Sequence, residues 1–101
     1  MTTIKNYSIF EDKQVRKTFP LFCHLTETVD DLNRLTIRRE TVARKFHVTS
    51  RTVRNWIHVL AQNDVLKFKY SGTARLNPDI YYAGGNVTKA KEDYASFRGD
   101  I

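Results

Sequence analysis

The chain has 101 residues, 41% of them apolar, and a formal charge of +6, which suits one small domain with a single modest core. No apolar run is long enough to span a membrane, and the first residues lack the basic start and apolar stretch of a secretory leader, so a cytoplasmic protein is expected. The single cysteine, Cys23, provides neither a disulfide framework nor a metal-binding quartet, fits a reducing compartment, and is expected to be buried and inert.

Residues 1–13 read as an N-terminal arm in which Ile4, Tyr7, Ile9 and Phe10 can pack as an extended segment against the body. The main domain is expected over residues 14–83. Its first helix has Thr18 as N-cap and Pro20 in the first turn, where a missing N–H costs nothing. Phe22, Leu25, Val29 and Leu32 then follow at helical spacing, and Asn33 and Arg34 end the helix.

Leu35-Thr36-Ile37 is a short extended segment, and Arg38–Lys45 a short helix with Val42 and Ala43 inward. Phe46-His47-Val48 makes a tight turn. His47 stands where such turns usually carry glycine, and His tolerates a left-handed backbone better than most residues. Thr49 caps a second helix reaching about Asn63, with Val53, Trp56, Ile57 and Leu60 on its inner face. Arg51, Arg54, Asn55 and His58 lie on the outer face.

After Asn63-Asp64 the apolar period changes to two: Leu66, Phe68 and Tyr70 alternate with Lys67 and Lys69. Ser71-Gly72 is a turn signal, and Thr73–Leu76 returns as a strand with Arg75 outward. Pro78 ends the ladder, and Ile80–Tyr82 is apolar. In the tail, residues 84–101, Thr88 can cap a short helix in which Ala90, Tyr94 and Phe97 share a side.

The charge is concentrated in the middle of this plan. Residues 34–75 hold ten Lys or Arg against two Asp or Glu, a net +8, whereas residues 1–33 (four against five) and 76–101 (three against four) each carry −1. A basic segment between near-neutral flanks is the electrostatic footprint of a polyanion binder.

Helix, short turn, helix and basic hairpin together form a winged helix-turn-helix: α+β, mostly helical, with about three core helices, a two-stranded wing and a short C-terminal helix. In such a plan Arg51, Arg54 and Asn55 reach base edges in the major groove, Arg pairing with guanine and Asn with adenine, with His58 on the same face. Thr49, Ser50 and Thr52 are short hydroxyl donors for phosphate at the helix N-terminus. Lys67, Lys69 and Arg75 share one exposed face of the wing, with Ser71, Gly72 and Thr73 at its tip and Arg38 and Arg39 on the flank.

Thr41–Val53 resembles the helix-turn-helix of many bacterial regulators. The continuation into Arg75-Leu76-Asn77-Pro78-Asp79-Ile80-Tyr81-Tyr82-Ala83-Gly84-Gly85 resembles the RepL-type replication proteins of Gram-positive plasmids over about residues 20–98. That resemblance implies a winged-helix protein acting at a plasmid or mobile-element origin, in replication or as an accessory of conjugative transfer. A transcriptional repressor has the same sequence features, and so, apart from the basic middle, has a protein-interaction module that keeps the fold without binding DNA.

Catalysis is not expected. His24, His47 and His58 are scattered without close acidic partners, Tyr81-Tyr82 suits packing better than nucleophilic attack, and no glycine-rich phosphate loop occurs. Asn86-Val87-Thr88 matches a glycosylation sequon by chance. The expected partners are double-stranded DNA and a second copy of the chain, because one small winged helix reads few base pairs. The arm and the helices of residues 18–33 and 89–98 are the candidate dimer surfaces. No metal, cofactor, membrane or small-molecule substrate is expected.

Overall fold

The strongest apolar stripe in the sequence forms the longest helix of the computed structural model, which describes residues 3–101. In chain order the elements are β1 (Ile4–Lys5), a 3-10 turn (Ser8–Glu11), α1 (Lys13–Arg16), α2 (Phe19–Thr26), β2 (Arg34–Thr36), α3 (Arg39–Phe46), α4 (Ser50–Gln62), β3 (Leu66–Phe68), β4 (Thr73–Leu76), β5 (Tyr81–Tyr82) and α5 (Val87–Ser96). Val53, Ile57 and Leu60 of α4 are fully buried against Leu21, Phe22 and Leu25 of α2 and Val42 and Ala43 of α3 in one core. Among the described residues, no helix is long and apolar enough to cross a membrane.

The wing is a sheet of three strands, not two, in the order β2-β4-β3. The segment expected only to lead into α3 pairs antiparallel with β4, setting Arg34 opposite Arg75 and Thr36 opposite Thr73. On the other side Lys67 stands opposite Arg75. The arm forms a second, two-stranded sheet, Ile4 opposite Tyr82. It then turns so that Tyr7 and Phe10 meet Phe22 with ring centroids 5.4 and 4.8 Å apart.

Local side-chain chemistry overrides the expected helix over residues 18–33. α2 stops at Thr26. The Thr26 and Thr28 hydroxyls donate to the carbonyls of Cys23 and Leu25, and Asp30 Oδ1 accepts from the N–H groups of Leu32 and Arg34. These bonds give the backbone partners outside a helix, so Val29 and Leu32 reach helical spacing without being helical, and both are only half-buried. Thr18 occupies the N-cap position, yet its hydroxyl donates back to the Val15 carbonyl at 2.6 Å. Asp12 provides the side-chain cap one helix earlier, accepting from the N–H groups of Gln14 and Val15. α5 likewise starts before Thr88: Asn86 Oδ1 accepts the Lys89 N–H at 3.0 Å. Cys23 is half-buried instead of enclosed, and burial pushes its thiol pKa up.

Asn33 joins the pieces. It has a left-handed backbone, φ 60°, and is buried, and its side-chain amide donates to the carbonyls of Leu76 (3.2 Å) and Tyr81 (2.7 Å). One residue thereby ties the start of β2 to the end of β4 and to β5. Asn33→Ala removes both donations, leaves enclosed carbonyls unpaired and strains an Ala at positive φ, so a loss of about 2–4 kcal/mol is expected. Asn33→Gly, which tolerates the backbone, should lose less. Urea unfolding of both variants checks this; an Ala variant that unfolds with the wild-type midpoint would refute the role.

Candidate nucleic-acid interface

The helix-turn-helix is built as the sequence requires. α3 ends on His47, whose φ of 55° and ψ of 43° are left-handed. His47 and Val48 donate their N–H groups to the carbonyls of Arg44 and Ala43, which closes the turn. Thr49 then caps α4, its hydroxyl oxygen accepting the Thr52 N–H at 3.1 Å. That bond and a 3.0 Å contact with the Thr52 hydroxyl occupy Thr49 inside the protein.

Arg51, Arg54 and Asn55 are exposed on the outer face of α4. With Ser50 and with Arg39 from α3 they line one shallow concavity, so the start of α3 and the outer face of α4 meet in a single surface. Two other residues of α4 depart from expectation. Trp56 is half-buried and not a core residue, because it sits beside the Val53-Ile57-Leu60 stripe rather than on it. Its ring stands edge-on to Phe46 at 6.0 Å. His58 is also half-buried, with Nε2 enclosed and unpartnered among the described residues.

The larger correction concerns the wing. Lys67, Lys69 and Arg75 do share a face, but it is covered by α5 and the residues after it. Asp93 of α5 accepts from Arg75 Nε at 2.8 Å and from Arg34 Nη2 at 3.0 Å. Lys67 Nζ donates to the Tyr94 carbonyl at 2.7 Å and lies 4.5 Å from that ring's centroid. Lys69 and Arg75 lie 5.1 and 4.5 Å from the centroid of the Phe97 ring. Sequence periodicity gives the face these cations occupy; it does not show that a helix more than a dozen residues further on lies across it.

The positive field is thereby redistributed. Within residues 34–75, Arg34 and Arg75 share the Asp93 carboxylate and Lys67 and Lys69 are turned to the Tyr94 carbonyl and the Phe97 ring. Among the described residues, this leaves Arg38, Arg39, Arg44, Lys45, Arg51 and Arg54 with neither an acidic side chain within 4.0 Å nor an aromatic ring against the cation. All six belong to α3, α4 or the residue leading into α3. Arg44 and Lys45 stood outside the expected set, although their charge at the end of α3 was visible. At the wing tip, Ser71 is exposed, Thr73 half-buried and Gly72 buried with φ 105°.

A three-helix core, a helix-turn-helix with a free cationic face and a small three-stranded sheet define a winged helix-turn-helix protein. Residues 9–98 match the family described as Firmicute plasmid replication protein (RepL). The chain belongs to that family. Neither the curated proteins nor the solved structures contain a match to it.

Arg34 and Arg75 hold the Asp93 carboxyl below the usual carboxylate range, with the hydrogen bond from Arg34 the largest cause. A depressed folded-state pKa contributes stability that is present above the ordinary aspartate value of about 3.9 and is lost as pH falls through the lower one. Acidification below about pH 4 should therefore weaken the hold of α5 on the wing. In unfolding curves taken across that range, Asp93→Asn should lose less stability than wild type. Identical acid dependence in the two proteins would contradict this.

Proposed function

We propose that this chain binds double-stranded DNA sequence-specifically at a plasmid origin, as a replication protein that acts by binding and not by catalysis. The observation that carries the proposal is the segregation of charge. Arg75 is ion-paired within the fold and Lys67 and Lys69 are turned to the Tyr94 carbonyl and the Phe97 ring, whereas Arg39, Arg51 and Arg54 stand without a carboxylate partner beside Asn55 around one concavity. Guanidinium groups and a carboxamide at the exposed start of a helix suit base edges in the major groove. Arg38, Arg44 and Lys45 suit the phosphates on either side. Ser50 and Thr52 are hydroxyl donors at the same end of the helix, and Ser71 and Thr73 are candidates at the wing tip. Family membership supports replication as the process served, and plasmid DNA implies the cytoplasm.

Binding as a homodimer is part of the proposal, because two half-sites give one small winged helix the reach it lacks. The hollow between the arm and α2, lined by Tyr7, Phe10, Phe19 and Pro20 with Glu11 and Arg16 at its edge, is a suitable surface.

If about four to six phosphates are neutralised per protomer, log K should fall with log salt at a slope of about −3.5 to −5.5. Arg54→Ala or Asn55→Ala should relax preference at one or two base pairs, at about 1–3 kcal/mol each. Lys67→Ala should leave the slope nearly unchanged, since Lys67 already has its partner in Tyr94. Titrations of these variants against a duplex selected from a random pool check all three outcomes. A slope near zero would refute DNA binding, and a full unit lost in Lys67→Ala would refute the division between helix pair and wing.

A further inference from the structure

Tyr70 is the one large hydrophobic side chain among the described residues that stands exposed, at 58%. It sits at the tip of the β3-β4 hairpin, in a tight turn closed by the Gly72 N–H donating to the Lys69 carbonyl (2.8 Å) and the Lys69 N–H donating to Thr73 (2.9 Å). A lone exposed aromatic carries little meaning by itself, but this turn is anchored from two sides. The Ile37 N–H donates to the Gly72 carbonyl at 2.8 Å, fixing the tip beside the residues that lead into Arg38 and Arg39. On the opposite edge the chain after α5 lies along β3. The Asp100 N–H donates to the Phe68 carbonyl at 2.8 Å, and Asp100 Oδ2 accepts the Tyr70 N–H at 2.9 Å. The approach needs Gly99: a Cβ there would stand 3.0 Å from both the nitrogen and the oxygen of Phe68.

We propose that Tyr70 is the wing's DNA contact, set against the sugars and base edges of the minor groove beside the site read by α4, and that Asp100 is its positioning residue. This rests on the DNA-binding reading above. Lys67 and Arg75 are turned to α5 and Lys69 to the Phe97 ring, and the tip, with Tyr70 and Ser71, is the exposed end of the hairpin. That tip carries an aromatic ring and the hydroxyls of Ser71 and Thr73, and the unpaired Arg38 and Arg39 follow the residue that anchors it. An exposed aromatic ring suits the wall of a nucleic-acid groove, and a turn already fixed on both sides loses little freedom on binding. The Asp100 bracket also satisfies backbone groups on the outer edge of β3, which would otherwise be an open sheet edge.

The test is hydroxyl-radical footprinting, which reports on minor-groove sugars, with the full chain on a duplex selected from a random pool. Wild type should protect sugars in the recognised site and in a flanking patch. Tyr70→Ala should lose the flanking patch alone and bind about tenfold more weakly, with an unchanged melting curve because the ring is exposed. Tyr70→Phe should retain most of both. Asp100→Ala should lose part of the flanking protection, and Asp100→Asn, which keeps an acceptor oxygen for the Tyr70 N–H, should restore it. If wild type binds and Tyr70→Ala keeps its affinity and flank, the Tyr70 contact is overturned and the α4 reading stands. If Asp100→Asn is as impaired as Asp100→Ala, the positioning role is overturned. If wild type protects no duplex, both readings fall.

Discussion

One carboxylate organises the charge of this molecule. Asp93 sits between Arg34 on β2 and Arg75 on β4, strands that stand opposite each other in the ladder. Two guanidinium groups side by side on a sheet repel one another, and a shared carboxylate relieves that repulsion while it draws α5 across the sheet. Lys67 then finds the Tyr94 carbonyl and ring, and Lys69 and Arg75 find Phe97. What looks like an open basic wing in sequence becomes a half-buried seam between a sheet and a helix.

That seam leaves the helix-turn-helix with the more open cationic surface. Under the DNA-binding proposal, a cation already ion-paired inside the fold must give up its partner before it can neutralise a phosphate. The unpaired cations of α3 and α4 meet no such cost, and several surround a polar concavity that also contains Asn55. The body of the wing also braces the fold: Leu66, Phe68, Ala74 and Leu76 share the core with α4, and the segment around Asp100 closes the outer edge of the sheet.

The stretch that carries the family likeness, Asn77-Pro78-Asp79, has a structural explanation of its own. Asn77 is buried, its amide donating to the Asp64 carbonyl at 2.7 Å and its side-chain oxygen accepting the Asp79 N–H at 2.9 Å. It fixes the exit from β4 to the turn after α4, where Asp64 adopts a φ of 55°. Asp64 Oδ1 also accepts the Tyr94 hydroxyl at 2.6 Å, and this hydrogen bond and burial push the Tyr94 pKa up, burial being the larger cause. The motif thus helps to hold α5 in the position that Asp93 requires.

The helix-turn-helix was legible in the sequence because its determinants are local. The apolar stripe of α4, the Thr49 cap and the left-handed turn at His47 each act within a few residues. The outer face of Arg51, Arg54 and Asn55 follows from helical periodicity alone. Phe22, Leu25, Val29 and Leu32 were misleading for the same reason: their spacing is helical, but threonine hydroxyls and Asp30 offer the backbone nearer partners. The third strand of the sheet, the cover over the wing cations and the bracket at Tyr70 depend on residues 18 to 59 positions apart, such as Arg75 with Asp93 and Arg34 with Asp93. Period and propensity carry no information about such pairs. Sequence determined which side chains are cationic and which face of each element they occupy; only the tertiary structure decided which of them are already paired and which stay free for a ligand.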